Sequence, residues 1–156
     1  MPQLPEIRTE FLFAAKFIVD TPQILDNTPF GPRRFIAGIR SGTFEGPRLR
    51  GTVQGTGGDW ILVRNDGAWQ MDVRLTLVTD DEHMIFMTYR GVRHGDPDVL
   101  ARLGRGEPVD PSEYYFRNAP FFETGSDKYG WLNRIVTVGT GHRYPDGPLY
   151  EFYEVL

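Results

Sequence analysis

A chain of 156 residues, 40% hydrophobic and 24% charged, has the size and composition of one folded domain. Its net charge of −4, with both signs interspersed, offers no basic face of the kind nucleic acid requires. It has no cysteine, which excludes disulfides, thiolate catalysis and cysteine-held metals.

Aromatics make up 13% of the chain beside 18 glycines and 12 prolines, a mixture suited to β-structure with many turns. In "RTEFLFAAKFIVD" (8–20), Phe11, Phe13, Ala15, Phe17 and Val19 share one parity, which predicts a first strand. "TPQILDNTPFGPRR" (21–34) holds three prolines and reads as a long connection. Strands follow near 35–41, 48–54 and 59–65, and the glycines of "GTGGDW" mark a bulge or tight bend. Residues 68–79 alternate most clearly. Trp69, Met71, Val73, Leu75 and Leu77 face one way, and Gln70, Asp72, Arg74 and Thr76 the other. "DDEH" turns the chain and 84–91 returns. Asp96 is a candidate N-cap, Pro97 suits a first helical position, and Val99, Leu100 and Leu103 form a stripe, so one short helix is expected near 97–104. Strands near 114–119, 130–140 and 148–155 complete the chain. With no repeat and no linker, this predicts a single all-β domain over 1–156. The expected form is a closed or nearly closed antiparallel β-barrel of about eight to nine strands, or else a sandwich. A barrel of about eight strands can hold one small ligand. The alternation in 68–79 does not say which of its faces looks inward.

"EYYFRNAPFFETGSDKYGWLNR" (113–134) sets seven aromatics among Arg117, Glu123, Asn133 and Arg134. Arg117 and Glu123 flank Pro120 with Phe116, Phe121 and Phe122 as neighbours. They read either as an ion pair closing a corner or as a substrate anchor beside a general base raised by apolar surroundings. Tyr129, Trp131 and Asn133 share strand parity, which would set a hydroxyl, an indole N–H and a carboxamide on one face. Asp72 and Arg74, at i and i+2 on a strand, project from the same face. They are solvated if that face is outside and paired if it is inside.

Other chemistries find little support. His83, His94 and His142 lie on separate turns or loops without ligand spacing, so no metal is expected. Ser41, Ser112 and Ser126 lie in no nucleophile elbow, and "GTGG" is not followed by a helix, so neither a serine nucleophile nor a dinucleotide cofactor is expected. No segment approaches the about 18 apolar residues of a membrane span, and the first 30 residues lack a signal-peptide pattern. A cytoplasmic location is the expectation.

Four segments, "GTFEGPRLRGTVQGTGGDW", "DGAWQMDVRLTLVTDD", "YYFRNAPFFETGSDKYGWLNR" and "YEFYEVL", together resemble an uncharacterised single-domain protein family of bacteria and fungi, a domain of unknown function. The resemblance covers roughly residues 8–156. It implies a compact antiparallel β-barrel, often oligomeric, with no established general activity. Gly58 stands where the family has alanine and Asn118 where it has threonine. The motif positions that carry over are Asp59, Trp60, Asp72, Arg74, Tyr115, Arg117, Glu123, Tyr129, Trp131 and Asn133, without agreed catalytic roles.

The resulting expectation is a barrel that binds a small oxygenated organic molecule in its lumen, without metal or cofactor. Isomerisation, cyclisation or addition–elimination beside a carbonyl would suit it. Glu123 or Asp72 would move the proton, Arg74 or Arg117 would stabilise the oxyanion, and Tyr129 or Tyr89 would donate. Trp60, Tyr115, Phe121, Trp131 and Asn133 would complete the binding wall. The alternatives are a non-catalytic small-ligand carrier, and a structural module forming a homodimer or higher homo-oligomer through its aromatic residues.

Overall fold

The structure is a computed structural model that describes residues 1–156. Ten strands and one helix follow in the order β1 (Thr9–Val19), β2 (Gln23–Thr28), β3 (Gly31–Glu45), β4 (Arg50–Val53), β5 (Gly57–Val63), β6 (Trp69–Thr79), β7 (Met84–Gly95), α1 (Pro97–Gly104), β8 (Tyr114–Glu123), β9 (Val136–Tyr144) and β10 (Gly147–Val155). All pairings are antiparallel, and the path β1-β10-β9-β8-β7-β6 returns through β4, β5 and β3 to β1. β3 closes the ring. Its Ile39–Glu45 end pairs with β1, while Arg33–Ile39 pairs with β5 and Gly42–Glu45 with β4. Because β4 and β5 both bridge β3 to β6, they occupy one position, and β2 hangs on β3 as an outer arm. Eight positions therefore surround the lumen, the number at which side chains nearly fill a barrel. No helix is long and apolar enough to cross a membrane.

The alternation of 68–79 resolves with its apolar set inward. Met71, Val73, Leu75 and Leu77 are buried, whereas Arg74 is exposed and Asp72 only partly covered. β8 alternates without interruption, with Tyr114, Phe116, Asn118, Pro120 and Phe122 inward and Tyr115, Arg117, Ala119, Phe121 and Glu123 outward. Pro120 does not break this strand. Its backbone lacks only an N–H, and its carbonyl accepts the Thr137 hydroxyl.

The two ends of the lumen differ. At one end Phe13 packs on Phe44, Phe122 and Phe152, with ring centroids 5.0–6.0 Å apart, beside Leu77 and Ile85. The segment after β8 plugs this end. Tyr129 and Leu132 are buried, the Tyr129 hydroxyl donates to Asp81 at 2.8 Å, and the Arg48 guanidinium lies 3.4 Å from the Trp131 ring centre. Hydrogen bonds from Lys128 and Tyr129 hold the Asp81 carboxyl well below the usual range. The opposite end is roofed by α1 and encloses a cavity.

Four local expectations change. Residues 23–28, inside the expected connection, form β2, because Gln23–Thr28 pairs with Gly31–Ile36 of β3. Residues 130–134 form a 3₁₀ turn rather than strand, so Tyr129, Trp131 and Asn133 do not share a strand face. In β1 the register shifts between Phe11 and Phe13, which buries Leu12 and Phe13 together and turns Phe11 outward against Tyr153. The fourth change is of length: β7 runs to Gly95 and β9 to Tyr144, both beyond the expected ends. The short helix forms where expected, with the Asp96 side chain accepting from the Asp98 amide.

Truncating the plug at Leu132, which is 1% exposed, removes apolar contacts that nothing else can supply. Leu132→Ala is expected to lower unfolding free energy by about 2–4 kcal/mol, as measured by chemical denaturation.

Candidate active site

The cavity between the barrel wall and α1 has a volume of about 460 Å³. Its floor is aromatic. Phe35 and Trp69 stack at 5.0 Å and 17°, and Tyr150 meets Tyr89, Phe116 and Phe17 edge-on at 5.3–5.6 Å. Gly141, inward on β9, makes room for this cluster, since a Cβ there would fall within 2.8 Å of both Tyr150 and Phe116. Leu100 and Leu103 of α1 cover the opening, and Pro145 and Pro148 of the β9–β10 turn edge it. Lys16 fixes that turn by donating to Asp146 at 2.7 Å and to the Gly147 carbonyl at 2.8 Å.

Three charged side chains enter this cavity at positions that are inward by strand parity. Asp59 follows Gly57 and precedes Ile61 on β5, Arg93 extends the inward set Met87, Tyr89 and Gly91 on β7, and Arg143 follows Gly139 and Gly141 on β9. Burial pushes the Asp59 carboxyl up to about 7, against the lowering effects of the Asp72 amide, which donates to it at 3.1 Å, and of the Arg93 and Arg143 charges. Burial draws the Arg93 guanidinium down to about 10, still cationic at neutral pH, and the Arg143 charge acts in the same direction. Arg93 lies over the Trp69 ring at 4.6 Å and near the Phe116 ring at 5.4 Å. Burial also raises the phenols of Tyr89 and Tyr150, so both keep their protons at neutral pH. The Tyr114 hydroxyl accepts from the Arg143 amide at 2.9 Å and contacts His142 Nδ1 at 2.7 Å, fixing the backbone from which Arg143 extends. The arrangement thus joins a carboxyl that titrates near neutrality to two cations and two protonated phenols.

Of the expected catalytic and binding side chains Tyr89 alone lines this cavity, together with the motif position Asp59. Asp72 and Arg74 lie on the outer parity of β6, 3.9 Å apart, and Arg74 also stands 5.5 Å from the ring of the outward-facing Trp60. Arg117 and Glu123 both face outward from β8 and do not pair, with Arg117 donating instead to the Phe116 carbonyl at 3.0 Å. Tyr115 is exposed between His94, stacked at 4.9 Å, and the Arg117 guanidinium at 5.2 Å, and Phe121 is exposed on the same strand face. Tyr129 and Trp131 belong to the plug at the far end. Asn133 is exposed and holds Thr124 through both its amide atoms. Asn118 is buried between Gly91 and Gly139 of the flanking strands, with no partner for either amide atom. No three His, Asp or Glu side chains gather in a way that could hold a metal ion.

Arg93, Arg143, Trp69 and Tyr150 were not singled out as site residues, and Asp59 only as a motif position. The available signal was a charged residue continuing an apolar parity set, as Arg93 does after Met87 and Tyr89.

A family model described as a protein of unknown function (DUF3237) matches residues 7–155. A β-barrel-like protein of Acinetobacter baumannii is 36% identical, each chain covered in full, with a TM-score of 0.88. A conserved protein of unknown function from Rhodopseudomonas palustris is 30% identical over 99% of this chain and 100% of its own, with a TM-score of 0.90. A structure described as an enzyme from Penicillium herquei shares the fold, with a TM-score of 0.75 at 23% identity and both chains covered in full. With nearly every residue matched and the barrel reproduced in bacterial relatives, the chain belongs to the DUF3237 family.

Proposed function

We propose that the cavity binds a small oxygenated organic molecule and moves a proton on it. The observation that carries this reading is Asp59, a half-buried carboxyl that faces into a mostly apolar chamber beside Arg93, Arg143 and Tyr89 and titrates at about 7. A group poised at about 7 is both a competent base and a competent acid at neutral pH. In the proposed step the Asp59 carboxylate takes a proton from a carbon next to a carbonyl. The C–H electron pair moves to form the enolate, and its negative oxygen is stabilised by the neighbouring guanidiniums and phenols. Return of the same proton to a different carbon completes an isomerisation. A cyclisation uses the same groups on an unsaturated carbonyl. The carboxylate takes the proton of an internal hydroxyl as its oxygen bonds the β-carbon, the C=C pair becomes the enolate, and the proton returns to the α-carbon. Asp59 takes the role expected from the sequence for Glu123 or Asp72, and Arg93 and Arg143 take that expected for Arg74 or Arg117. A carrier would use the same chamber without the exchange.

A second reading concerns assembly. Phe86 on β7, Phe121 on β8 and Val136 and Val138 on β9 are all exposed on neighbouring strands of the outer wall. We propose that this face pairs two copies of the chain, in keeping with an aromatic interface. Light scattering after size exclusion is expected to give a dimer mass for the native chain and a monomer mass for Phe121→Glu. A monomeric native chain overturns this second reading.

Catalysis is tested by deuterium uptake. In D₂O the protein is expected to accelerate exchange at the α-carbon of cyclic ketones and β-keto acids, followed by NMR, and Asp59→Asn is expected to abolish the acceleration. A folded protein that accelerates none of them counts against proton transfer and favours the carrier. The Asp59 titration also leaves a mark on stability. Unfolded, the carboxyl titrates near 3.8, and folded near 7. Between these values the native state keeps a proton that the unfolded state has released, so stability falls as pH rises through that window, by about 1.4 kcal/mol per unit at most. Thermal melts are therefore expected to show Asp59→Asn matching the native chain near pH 4 and exceeding it at pH 8.

A further inference from the structure

We infer that the ligand of this cavity is an organic anion with a flat apolar body, its carboxylate or enolate oxygens held between Arg93 and Arg143. The inference rests on the cavity being the ligand site. Five charged side chains line that cavity, and two of them are already satisfied at the rim: Asp20 with Arg40 at 2.7 Å, and Arg105 with Glu107 at 2.6 Å. Asp59, Arg93 and Arg143 remain. Neither arginine side chain makes an ion pair or a hydrogen bond with any other group of the chain, and Asp59 lies beyond ion-pair distance of both. The other arginines without such a bond, Arg8, Arg90 and Arg134, are exposed where water satisfies them. The chamber therefore carries one excess positive charge when Asp59 is ionised and two when it is protonated. Unpaired cations in a partly covered apolar chamber destabilise a fold, and guanidiniums are suited to fork onto carboxylate-like oxygens.

The walls specify the rest of the ligand. Arg93 is held against the faces of Trp69 and Phe116, which limits where its plane can turn, and Phe35 extends the Trp69 surface by stacking on it. A flat unsaturated body lying on these rings brings an anionic substituent to the arginine edge. A neutral molecule of the same shape fills the same volume and leaves both cations unmet. Compact inorganic anions would satisfy the charge and leave the apolar walls uncovered.

The test compares 2-naphthoate with 2-naphthamide, equal in shape and different in charge, by titration calorimetry at pH 7. The naphthoate is expected to bind at least tenfold more tightly than the amide. Arg93→Met and Arg143→Met are each expected to weaken naphthoate at least tenfold and to leave the amide unchanged, which also reports that the chamber is intact. Asp59→Asn is expected to bind naphthoate at least as tightly as the native chain. Equal affinity for the two probes overturns the anion inference while the proton-transfer reading stands on its exchange assay. Failure to bind either probe also overturns the inference, and the proton-transfer reading is then decided by its exchange assay alone. Naphthoate binding that survives both arginine replacements also overturns it.

Discussion

β3 is where the barrel closes. Its fifteen residues pair with β2 and β5 in their first half and with β4 and β1 in their second, so one strand joins both edges of an otherwise open sheet. Closure pairs the edges of the barrel wall, leaving only the outer side of the short β2 arm unpaired, and fixes the interior to the width of side chains from eight positions. Everything the lumen does follows from how those inward positions are filled. Bulky apolar residues fill one half completely. In the other half glycine at 141 and charged residues at 59, 93 and 143 leave the space unfilled, and a cavity remains.

That division gives the two ends of the barrel different surroundings. Phe13, Phe44, Phe122 and Leu132 make the rigid end, where burial provides stability. At the other end β5, β7, β9 and β10 deliver Asp59, Arg93, Arg143 and Tyr150 to one chamber. The rigid end holds the strand spacing, so the chamber is preorganised without relying on flexible loops. Lys16 and Tyr114 add local restraint, one on the β9–β10 turn and the other on the backbone beside Arg143.

The fold was legible because strand alternation is a strong local signal: the inward set Met71 to Leu77 and the helix capped by Asp96 could be read directly. Which strands closed the barrel was not, since β3 bonds to partners distant in sequence. The site was hidden for two reasons. Arg93 and Arg143 fall just past the expected ends of their strands, so parity was not extended to them. In "DWI" the conspicuous Trp60 points outward, and the small acidic neighbour holds the interior position. The aromatic stretch 113–134 drew attention for its density, yet its charges face away from the lumen. Its inward members Tyr114 and Phe116 serve the chamber end, and Tyr129 and Leu132 seal the other.

The sealed end has a kinetic consequence. A lumen plugged by Tyr129 and Leu132 has one portal, beneath α1 and the β9–β10 turn. A molecule that enters there departs by the same route, so under the proposed proton transfer a product still bound blocks the next substrate. A polymer cannot thread through a chamber closed at one end.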